Sequence, residues 1–378
     1  VHVPVPGSPS EKRLTIYVGS AAGGLWKSKD NGNSFKQLFN KVQQHSIGSI
    51  ALDPNHGDSV LWVGTGESNV RNSVSIGGGL YKTTDGGETW TLLGLEKVER
   101  IAKVVLNPKN PDIALVAGLG ALWGDSEDRG LYRTEDGGKT FAKVLYVNEK
   151  TGCADVDIDP EDPSICYASM WEFRRKAWSF SSGGSGSGLY KSTDAGKTWV
   201  KMTKSMPEGD LGRIIVSIAP SKPSTVYAMM ESSSSGLYRS DDRGESWTKT
   251  SNAVSVTARP FYFAQLVVDP INPDRVYRPS FQLGMSEDGG KTFNGFNYGG
   301  GTHPDHHALW IDPENTQHLL LGTDGGVYRS YDRGVTWSMF RNLPLAQFYR
   351  ISHDFEEPYN VFGGLQDNGS WMTPNKIP

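Results

Sequence analysis

An eight-residue phrase that occurs seven times restricts the fold of this chain more than any other feature. It reads Ser/Thr-x-Asp-x-Gly-x-x-Trp/Phe, and its copies recur at intervals of 44 to 58 residues. The aspartates are Asp30, Asp85, Asp136, Asp194, Asp242, Asp288 and Asp332. An Asp that accepts hydrogen bonds from the amides after it, followed by a Gly with positive φ, is typical of a tight turn. We therefore predict seven hairpin turns, each anchored by its aromatic residue.

Short apolar segments precede each of these turns. Residues 50–54 and 61–64, for example, are two apolar runs separated by an Asp-Pro turn, and 79–82 is a third run that leads into the next phrase. Alternating short strands and turns over a period of about 50 residues are typical of a four-stranded propeller blade. The sequence therefore predicts an all-β fold, a seven-bladed β-propeller of four-stranded antiparallel blades.

Composition excludes several classes of protein. The chain has 378 residues, is 11% aromatic, and carries a formal net charge of −4 with no basic stripe, which argues against a nucleic-acid partner. No apolar run reaches the roughly 18 residues that a membrane-spanning helix needs. The two cysteines, Cys153 and Cys166, do not pair in the predicted strand register. We expect free thiols and no disulfide scaffold.

The ends of the chain leave the domain boundary open. We expect residues 1–345 to form the propeller, and 346–378 to contain further strands without an eighth turn phrase. Those strands either complete the first blade and close the ring or begin a second propeller.

The seven phrases match the Asp-box, also called the bacterial neuraminidase repeat. The chain resembles sialidases, xyloglucanase-type glycoside hydrolases and sortilin-type receptors, and most of all large exported bacterial proteins with a sortilin-like N-terminal region. The resemblance implies that the boxes are structural and that further domains of a longer chain accompany the propeller. It also implies an extracellular or cell-surface location in bacteria, although this chain carries no signal peptide.

The segment around residue 305 has the highest density of side chains that could bind a metal or take part in catalysis. It contains His303, Asp305, His306 and His307 directly before an inner strand of the seventh blade. Strand alternation would place His303, Asp305 and His307 on one side, a set that could hold a divalent metal. The favoured alternative is a hydrogen-bonded polar lining or ligand contact, with no cofactor.

Residues of other blades are expected at the same level of the central funnel. Counting strand register places Arg100, Arg213 and Tyr262 there, and converging arginines would suit an anionic ligand. Sialidases share an Arg-Ile-Pro phrase before the first box, and this chain lacks it. Sialidase activity is therefore not favoured.

The xyloglucanase-type enzymes carry a catalytic aspartate in the link between the second and third strands of their first blade. The matching position here is Ala21, which counts against that chemistry. Acids at related positions are Asp324 in the seventh blade and Asp367 near the C-terminus. Together with Asp305 they are the catalytic candidates.

Three long inserts between second and third strands should share one face of the ring. They cover 66–72, 123–129 and 171–188 and supply the candidate ligand-binding residues Arg71, Trp123, Trp171, Arg174 and Trp178. Their aromatics either bind a ligand or pack the inserts against their own blades. The leading interpretation is a propeller that recognises a polysaccharide or protein on this face. The alternatives are a glycoside hydrolase and a structural cell-surface or assembly component.

Overall fold

The computed structural model describes residues 1–5, 8–294 and 301–376, and the fold is almost entirely β. The strands up to the third Asp-box are β1 (His2–Val5), β2 (Ser8–Leu14), β3 (Ile16–Ser20), β4 (Gly24–Ser28), β5 (Lys36–Gln37), β6 (Ile47–Leu52), β7 (Leu61–Thr65), β8 (Leu80–Thr83), β9 (Thr91–Gly94), β10 (Ile101–Leu106), β11 (Ala114–Gly118), β12 (Gly130–Thr134) and β13 (Ala142–Leu145).

The remaining strands are β14 (Thr151–Ile158), β15 (Cys166–Lys176), β16 (Ser179–Ser182), β17 (Gly188–Ser192), β18 (Val200–Lys201), β19 (Ile214–Ile218), β20 (Val226–Met230), β21 (Gly236–Ser240), β22 (Thr248–Ser251), β23 (Val267–Val268), β24 (Val276–Arg278), β25 (Gly284–Ser286), β26 (His306–Ile311), β27 (Leu319–Thr323), β28 (Gly326–Ser330), β29 (Ser338–Met339), β30 (Phe348–His353), β31 (Asn360–Leu365) and β32 (Ser370–Pro374). Short helices occur at Phe39–Lys41, Glu96–Val98 and Val254–Thr257.

Seven antiparallel sheets each contain one Asp-box turn. In chain order they are β3–β5, β6–β9, β10–β13, β14–β18, β19–β22, β23–β25 and β26–β29, and we call them blades one to seven. The first strands of successive four-stranded blades contact one another, which makes these strands the innermost. The β-propeller prediction is confirmed, and the arrangement is consistent with seven blades.

Hydrophobic clusters join neighbouring blades around the whole ring. Blades four and five share a cluster around Tyr167 and Val216, and corresponding clusters lie at the other junctions. The junction of blade seven with blade one contains Ile16 and Phe340, with Phe35 stacked edge-on against Phe340 at 5.6 Å. Each blade thus buries both of its faces, which is why a lone repeat would not be stable.

Side chains on the inner strands also satisfy backbone amides of the next blade. The Val104 amide donates to Ser49 Oγ at 3.0 Å, and the Val216 amide donates to Asp155 at 2.9 Å. These inner strands have no further sheet partner on that side, so the bonds cap amides that would otherwise lack one. They fix the angular position of each blade around the axis.

The Asp-box turns have the predicted structural role. In the second box, Asp85 accepts hydrogen bonds from the hydroxyls of Thr83 and Thr89 at 2.7 and 2.6 Å and from the Thr89 amide at 3.0 Å. The same pattern around Asp30, where the Ser34 hydroxyl and amide are the main donors, lowers the pKa of that carboxyl to about 2. The aspartates are saturated by local donors and act as turn anchors.

The last three strands form a separate sheet. Within the described residues, β30–β32 hydrogen-bond to one another and not to β3 of blade one. This sheet has a largely exposed surface that includes Tyr349, Ile351 and Trp371. Whether 346–378 begin a second propeller stays a prediction. The two cysteines are free and buried, as expected.

Candidate functional site

The links between strands divide over the two faces of the ring. In an antiparallel blade, the link from the second to the third strand lies on the same side as the link that enters the first strand. The three long inserts and the segment 302–305 therefore share one face, which we call the insert face. The Asp-box turns, between third and fourth strands, lie on the opposite face.

The inserts contact one another across blade boundaries. Arg174 in the blade-four insert pairs with Asp125 of the blade-three insert, and Arg175 hydrogen-bonds Asn72 of the blade-two insert. Val70 and Phe173 join one hydrophobic cluster beneath these contacts. The inserts thus form a continuous platform on a single face, in agreement with the sequence prediction.

A cluster of polar side chains lies towards the centre of the insert face. His307 Nε2 is 3.1 Å from Asp324 Oδ1, and the Arg71 guanidinium makes a two-bond pair with Glu67 at 2.5 and 3.1 Å. Tyr262 stacks edge-on against the His307 ring with 5.1 Å between centroids. We call Glu67, Arg71, Tyr262, Asp305, His307 and Asp324 the central cluster. It combines residues from blades two, six and seven.

A β-bulge directs His307 into this cluster. The register between β26 and β27 shifts between His306 and Ala308, so His307 is the extra residue. The same shift occurs in β6, β10 and β14, where the extra residues are Gly48, Ala102 and Ala154. Bulges re-aim side chains and are frequent beside functional sites. Blade seven alone among these four blades places a large polar side chain at this position.

The bulge corrects the predicted alternation of the histidine segment. His303 and Asp305 precede β26, and Asp305 has a left-handed φ of 61°, so period-two alternation does not apply there. His303 Nε2 instead meets the Asp367 carbonyl oxygen at 3.0 Å. In the ranges the structure describes, no group of three or more His, Cys, Asp or Glu side chains is arranged to hold a metal ion.

The environments of Asp305 and Asp324 shift their pKa values in opposite directions. Burial raises the pKa of Asp305, and the neighbouring Asp324 charge adds to the effect. Burial is the largest single effect and disfavours the Asp324 carboxylate, but the hydrogen bond with His307 and the nearby charges of His307, His303 and Arg71 together hold the pKa of Asp324 below its ordinary value. Burial, with Asp324 next in effect, raises the pKa of Tyr262 to about 12. The site therefore holds two neighbouring carboxyls whose pKa values are shifted apart by their surroundings.

Two polar atoms of the central cluster are buried without a partner. Asp305 Oδ1 and His307 Nδ1 make no hydrogen bond to any described residue. Buried polar groups are normally hydrogen-bonded, and exceptions often mark functional positions. Asp305 and His307 therefore each keep hydrogen-bonding capacity that no described residue uses.

The turn between β31 and β32 contacts the cluster through backbone and amide groups. Gln366 Oε1 accepts from Arg71 at 3.4 Å, and Asn368 Nδ2 donates to the Asp324 carbonyl at 3.0 Å. Asp367 lies between them with a left-handed φ of 58°. The catalytic candidate Asp367 therefore lies at the site. It contacts His303 there through its backbone carbonyl oxygen.

His306 is buried and belongs to the support of the site. Its Nε2 lies 3.1 Å from Thr302 Oγ1 and 3.0 Å from the His303 carbonyl oxygen. Burial lowers the pKa of His306 to about 4, so the ring is neutral near pH 7. The expected ligand contact from His306 is therefore replaced by a hydrogen-bonded lining.

The predicted funnel arginines do not offer an anion site. Arg100 and Arg213 are fully buried and donate to backbone carbonyls, Arg100 to Gly120 at 2.8 Å and Arg213 to Phe261 at 2.9 Å. They also lie over the rings of Phe173 and Trp171. The prediction that they bind an anionic ligand is wrong, because both side chains are buried and their guanidinium groups donate to backbone carbonyls of the protein itself. Tyr262 is the residue of that set that does reach the central cluster.

The insert aromatics divide between the two alternatives. Trp171 is fully buried among Val70, Leu122 and Phe173, so the expectation of an exposed binding surface is wrong for this residue. Trp123 and Trp178 are 51% and 83% exposed. Trp178 lies at the tip of the β15–β16 hairpin, which extends the insert platform.

Sequence reasoning missed several residues of the site. Glu67 is nearly buried beneath Arg71, and its role depends on that pair. Arg259 and Phe263 come from the link into blade six, which has no repeated phrase. No shared residue type marks the bulge in the sequence, since Gly48, Ala102 and Ala154 occupy the position of His307 in other blades.

His307→Ala should leave the fold nearly intact while changing the site. Alanine already occupies the bulge in blades three and four, so we expect a change in unfolding free energy within about 1 kcal/mol. Loss of the His307 hydrogen bond should raise the pKa of Asp324. Chemical denaturation measures the stability and carboxyl-resolved NMR titration measures the pKa, and an unchanged Asp324 pKa would show that His307 does not hold the carboxylate.

Comparison with known families agrees with this architecture. The family model described as sortilin, neurotensin receptor 3, matches residues 23–171, and the BNR-Asp box repeat model matches 237–250. No curated protein sequence matches the chain. With the fold, these matches define the chain as an Asp-box β-propeller. Within that class it resembles sortilin-like and GH74 proteins.

Solved structures with a similar fold are distant in sequence. An ancestral GH74 enzyme aligns over 94% of this chain with a TM-score of 0.59 and 17% identity, and the alignment spans 45% of that enzyme. YCF48 from Cyanidioschyzon merolae aligns over 86% of this chain and 94% of its own, with a TM-score of 0.50 and 17% identity. YCF48 bound to D1 peptide aligns with a TM-score of 0.51, at 15% identity, over 96% and 97% of the two chains. At these identities the likeness concerns the fold alone.

Proposed function

We propose that the chain recognises a polysaccharide at the central cluster of the insert face. The observation that carries the proposal is the convergence there of the Glu67–Arg71 ion pair, the His307–Asp324 contact and the unpartnered atoms Asp305 Oδ1 and His307 Nδ1. Paired carboxylates, a guanidinium, an imidazole and a phenol present many fixed donors and acceptors with little net charge. Such a surface suits the hydroxyl groups of a sugar, because each hydroxyl both donates and accepts.

Exposed tryptophans on the same face supply the apolar part of such a site. Trp123 and Trp178 belong to the insert platform and keep much of their indole surface in contact with solvent. Flat aromatic rings stack on the apolar faces of sugar rings and on peptide side chains. A polysaccharide is favoured because the central cluster is polar, whereas a protein hot spot is typically an apolar pocket.

A glycan array probed with the labelled protein tests this proposal. We expect binding to one or more polysaccharides, and weaker binding by Trp178→Ala with an unchanged melting temperature. Phe355→Ala is the matched control, because Phe355 is a 97% exposed aromatic in the link between β30 and β31, away from the insert face. Binding to no glycan would favour a protein ligand or a structural component instead.

A second candidate function, glycoside hydrolysis, is favoured by the opposite pKa shifts of Asp305 and Asp324. Glycosidases use a protonated carboxyl as the acid and an ionised one as the base or nucleophile. Asp305 would protonate the glycosidic oxygen, while Asp324 would activate water or attack the sugar carbon. On any polysaccharide that the chain cleaves, Asp305→Asn should lower kcat roughly a hundredfold or more. Retained turnover would exclude Asp305 as the acid.

The proposal includes the location of the protein. None of the helices in the described ranges has the length and apolarity of a membrane crossing. Extracellular polysaccharides would require export, and the sortilin-like resemblance supports an extracellular or cell-surface location. Further domains of a longer chain would extend the platform.

A further inference from the structure

Arg259 lies at the edge of the central cluster on the link that enters blade six. Its guanidinium is 4.7 Å from the Tyr262 ring centre, 5.8 Å from that of Phe263 and 5.9 Å from that of Phe281. The three rings hold the cation by its apolar face, which leaves its edge of N–H donors uncommitted. The side chain is exposed to solvent.

Arg259 has no ion pair and no side-chain hydrogen bond to any described residue. Arg71, by contrast, is committed to Glu67, and Arg174 is committed to Asp125. Arg259 is therefore the cation beside the cluster whose donors remain available.

The two aspartates of the central cluster do not neutralise the charge of Arg259. Its charge acts on Asp305, yet burial and the charge of Asp324 still leave the pKa of Asp305 raised. Asp324 is already paired with His307. The positive charge of Arg259 thus lacks a protein counter-charge in direct contact.

Three non-glycine residues with left-handed backbone lie at this place. Outside the Asp-box turns, left-handed φ values of non-glycine residues occur at Leu95, Glu99, Ser205, Arg259, Asp305 and Asp367 in the described structure. Arg259, Asp305 and Asp367 all lie at the insert-face site. Non-glycine residues in this region cost about 1 kcal/mol or more each and cluster at ligand-binding positions. The strain at Arg259, where φ is 43°, supports a ligand contact.

We infer that Arg259 binds an anionic substituent of the polysaccharide, so that the ligand of this face is an acidic polysaccharide. The inference rests on the proposed function and adds its chemical class. A guanidinium fork pairs with a carboxylate or a sulfate ester through two parallel hydrogen bonds. Tyr262 would then contact the sugar ring next to the charged group, because Arg259 lies over the aromatic ring of Tyr262.

The test is a glycan array that carries each uronic-acid polysaccharide next to its carboxyl-reduced, neutral form, and each sulfated one next to its desulfated form. The best acidic glycan is then titrated against the wild-type protein, Arg259→Gln and Arg259→Lys. Lys139→Gln is the matched control, because it removes an exposed positive charge on the Asp-box face. Melting temperatures establish that each variant is folded.

We expect binding to fall about ten- to hundredfold when the ligand is neutralised, and by a similar factor in Arg259→Gln. Arg259→Lys should be intermediate, because it keeps the charge and loses the fork, and Lys139→Gln should bind as the wild type does. Carboxyl reduction and desulfation separate the two possible anionic groups. Equal binding of neutral and acidic forms, or unchanged affinity in Arg259→Gln, would overturn the inference and leave polysaccharide recognition standing. Binding to no glycan would overturn both.

Discussion

Trp171→Ala is expected to lower the free energy of unfolding by about 3–5 kcal/mol, the usual cost of removing a fully buried tryptophan. The indole contacts Phe173 at 4.5 Å between ring centres and lies over the Arg213 guanidinium at 4.9 Å. Its Nε1 donates to Ser182 Oγ at 3.0 Å. The substitution would empty the hydrophobic cluster that joins the inserts and would leave Ser182 without that donor. Chemical denaturation monitored by circular dichroism measures the loss.

Trp178→Ala is the matched control for this prediction. The two tryptophans belong to the same insert, but Trp178 is 83% exposed, so its replacement should change stability by less than about 0.5 kcal/mol. Equal effects of the two substitutions would contradict the assignment of Trp171 to the core of the insert platform.

Stability should fall by about 3 kcal/mol between pH 6.5 and pH 4 because of His306 alone. Burial lowers its pKa from 6.5 to about 4, so the folded chain keeps the ring neutral across this range while the unfolded chain takes up a proton. Proton uptake by the unfolded state favours unfolding as the pH falls. The contribution is fully present above pH 6.5 and is lost as the pH approaches 4.

His306→Gln isolates that contribution. Glutamine keeps a donor that can reach the His303 carbonyl oxygen and does not titrate, so the unfolding free energy of the variant should change much less between pH 7 and pH 4. The Asp-box carboxyls also lose stabilisation as their unfolded-state counterparts begin to protonate near pH 4, but this contribution is the same in both proteins and cancels in the comparison. Parallel pH profiles for the two proteins would show that His306 is not held neutral by burial.

The sequence was sufficient to predict the architecture because the determinants of a blade are local. The hydroxyl, Asp and Gly of each Asp-box lie within five residues, and the aromatic that anchors the turn follows three residues after the Gly. Seven repetitions leave little ambiguity in the period. The order of the strands within each blade then identified the first strand as the innermost, and its side chains bond to the next blade.

The central cluster was only partly predictable because it is assembled from several blades. Asp324, Tyr262 and His307 could be placed by register, but the bulge that turns His307 towards Asp324 has no single-residue signature. Trp171 and Trp178 are tryptophans of the same insert, and the sequence does not distinguish a buried one from an exposed one. Only the β15–β16 hairpin decides which of them is buried. Arg100 and Arg213 show the same limit, since their carbonyl partners lie in loops that carry no repeated phrase.

Calorimetric titration of the best array glycan against the wild-type protein and His307→Ala tests polysaccharide recognition at the central cluster most directly. The variant should retain the fold, because alanine occupies the same bulge position in blades three and four, as Ala102 and Ala154. A change in affinity therefore reports on the site. We predict at least about tenfold weaker binding at an unchanged melting temperature, because the variant loses an imidazole donor and the partner of Asp324. Equal affinity for the two proteins would contradict the placement of the binding site at the central cluster.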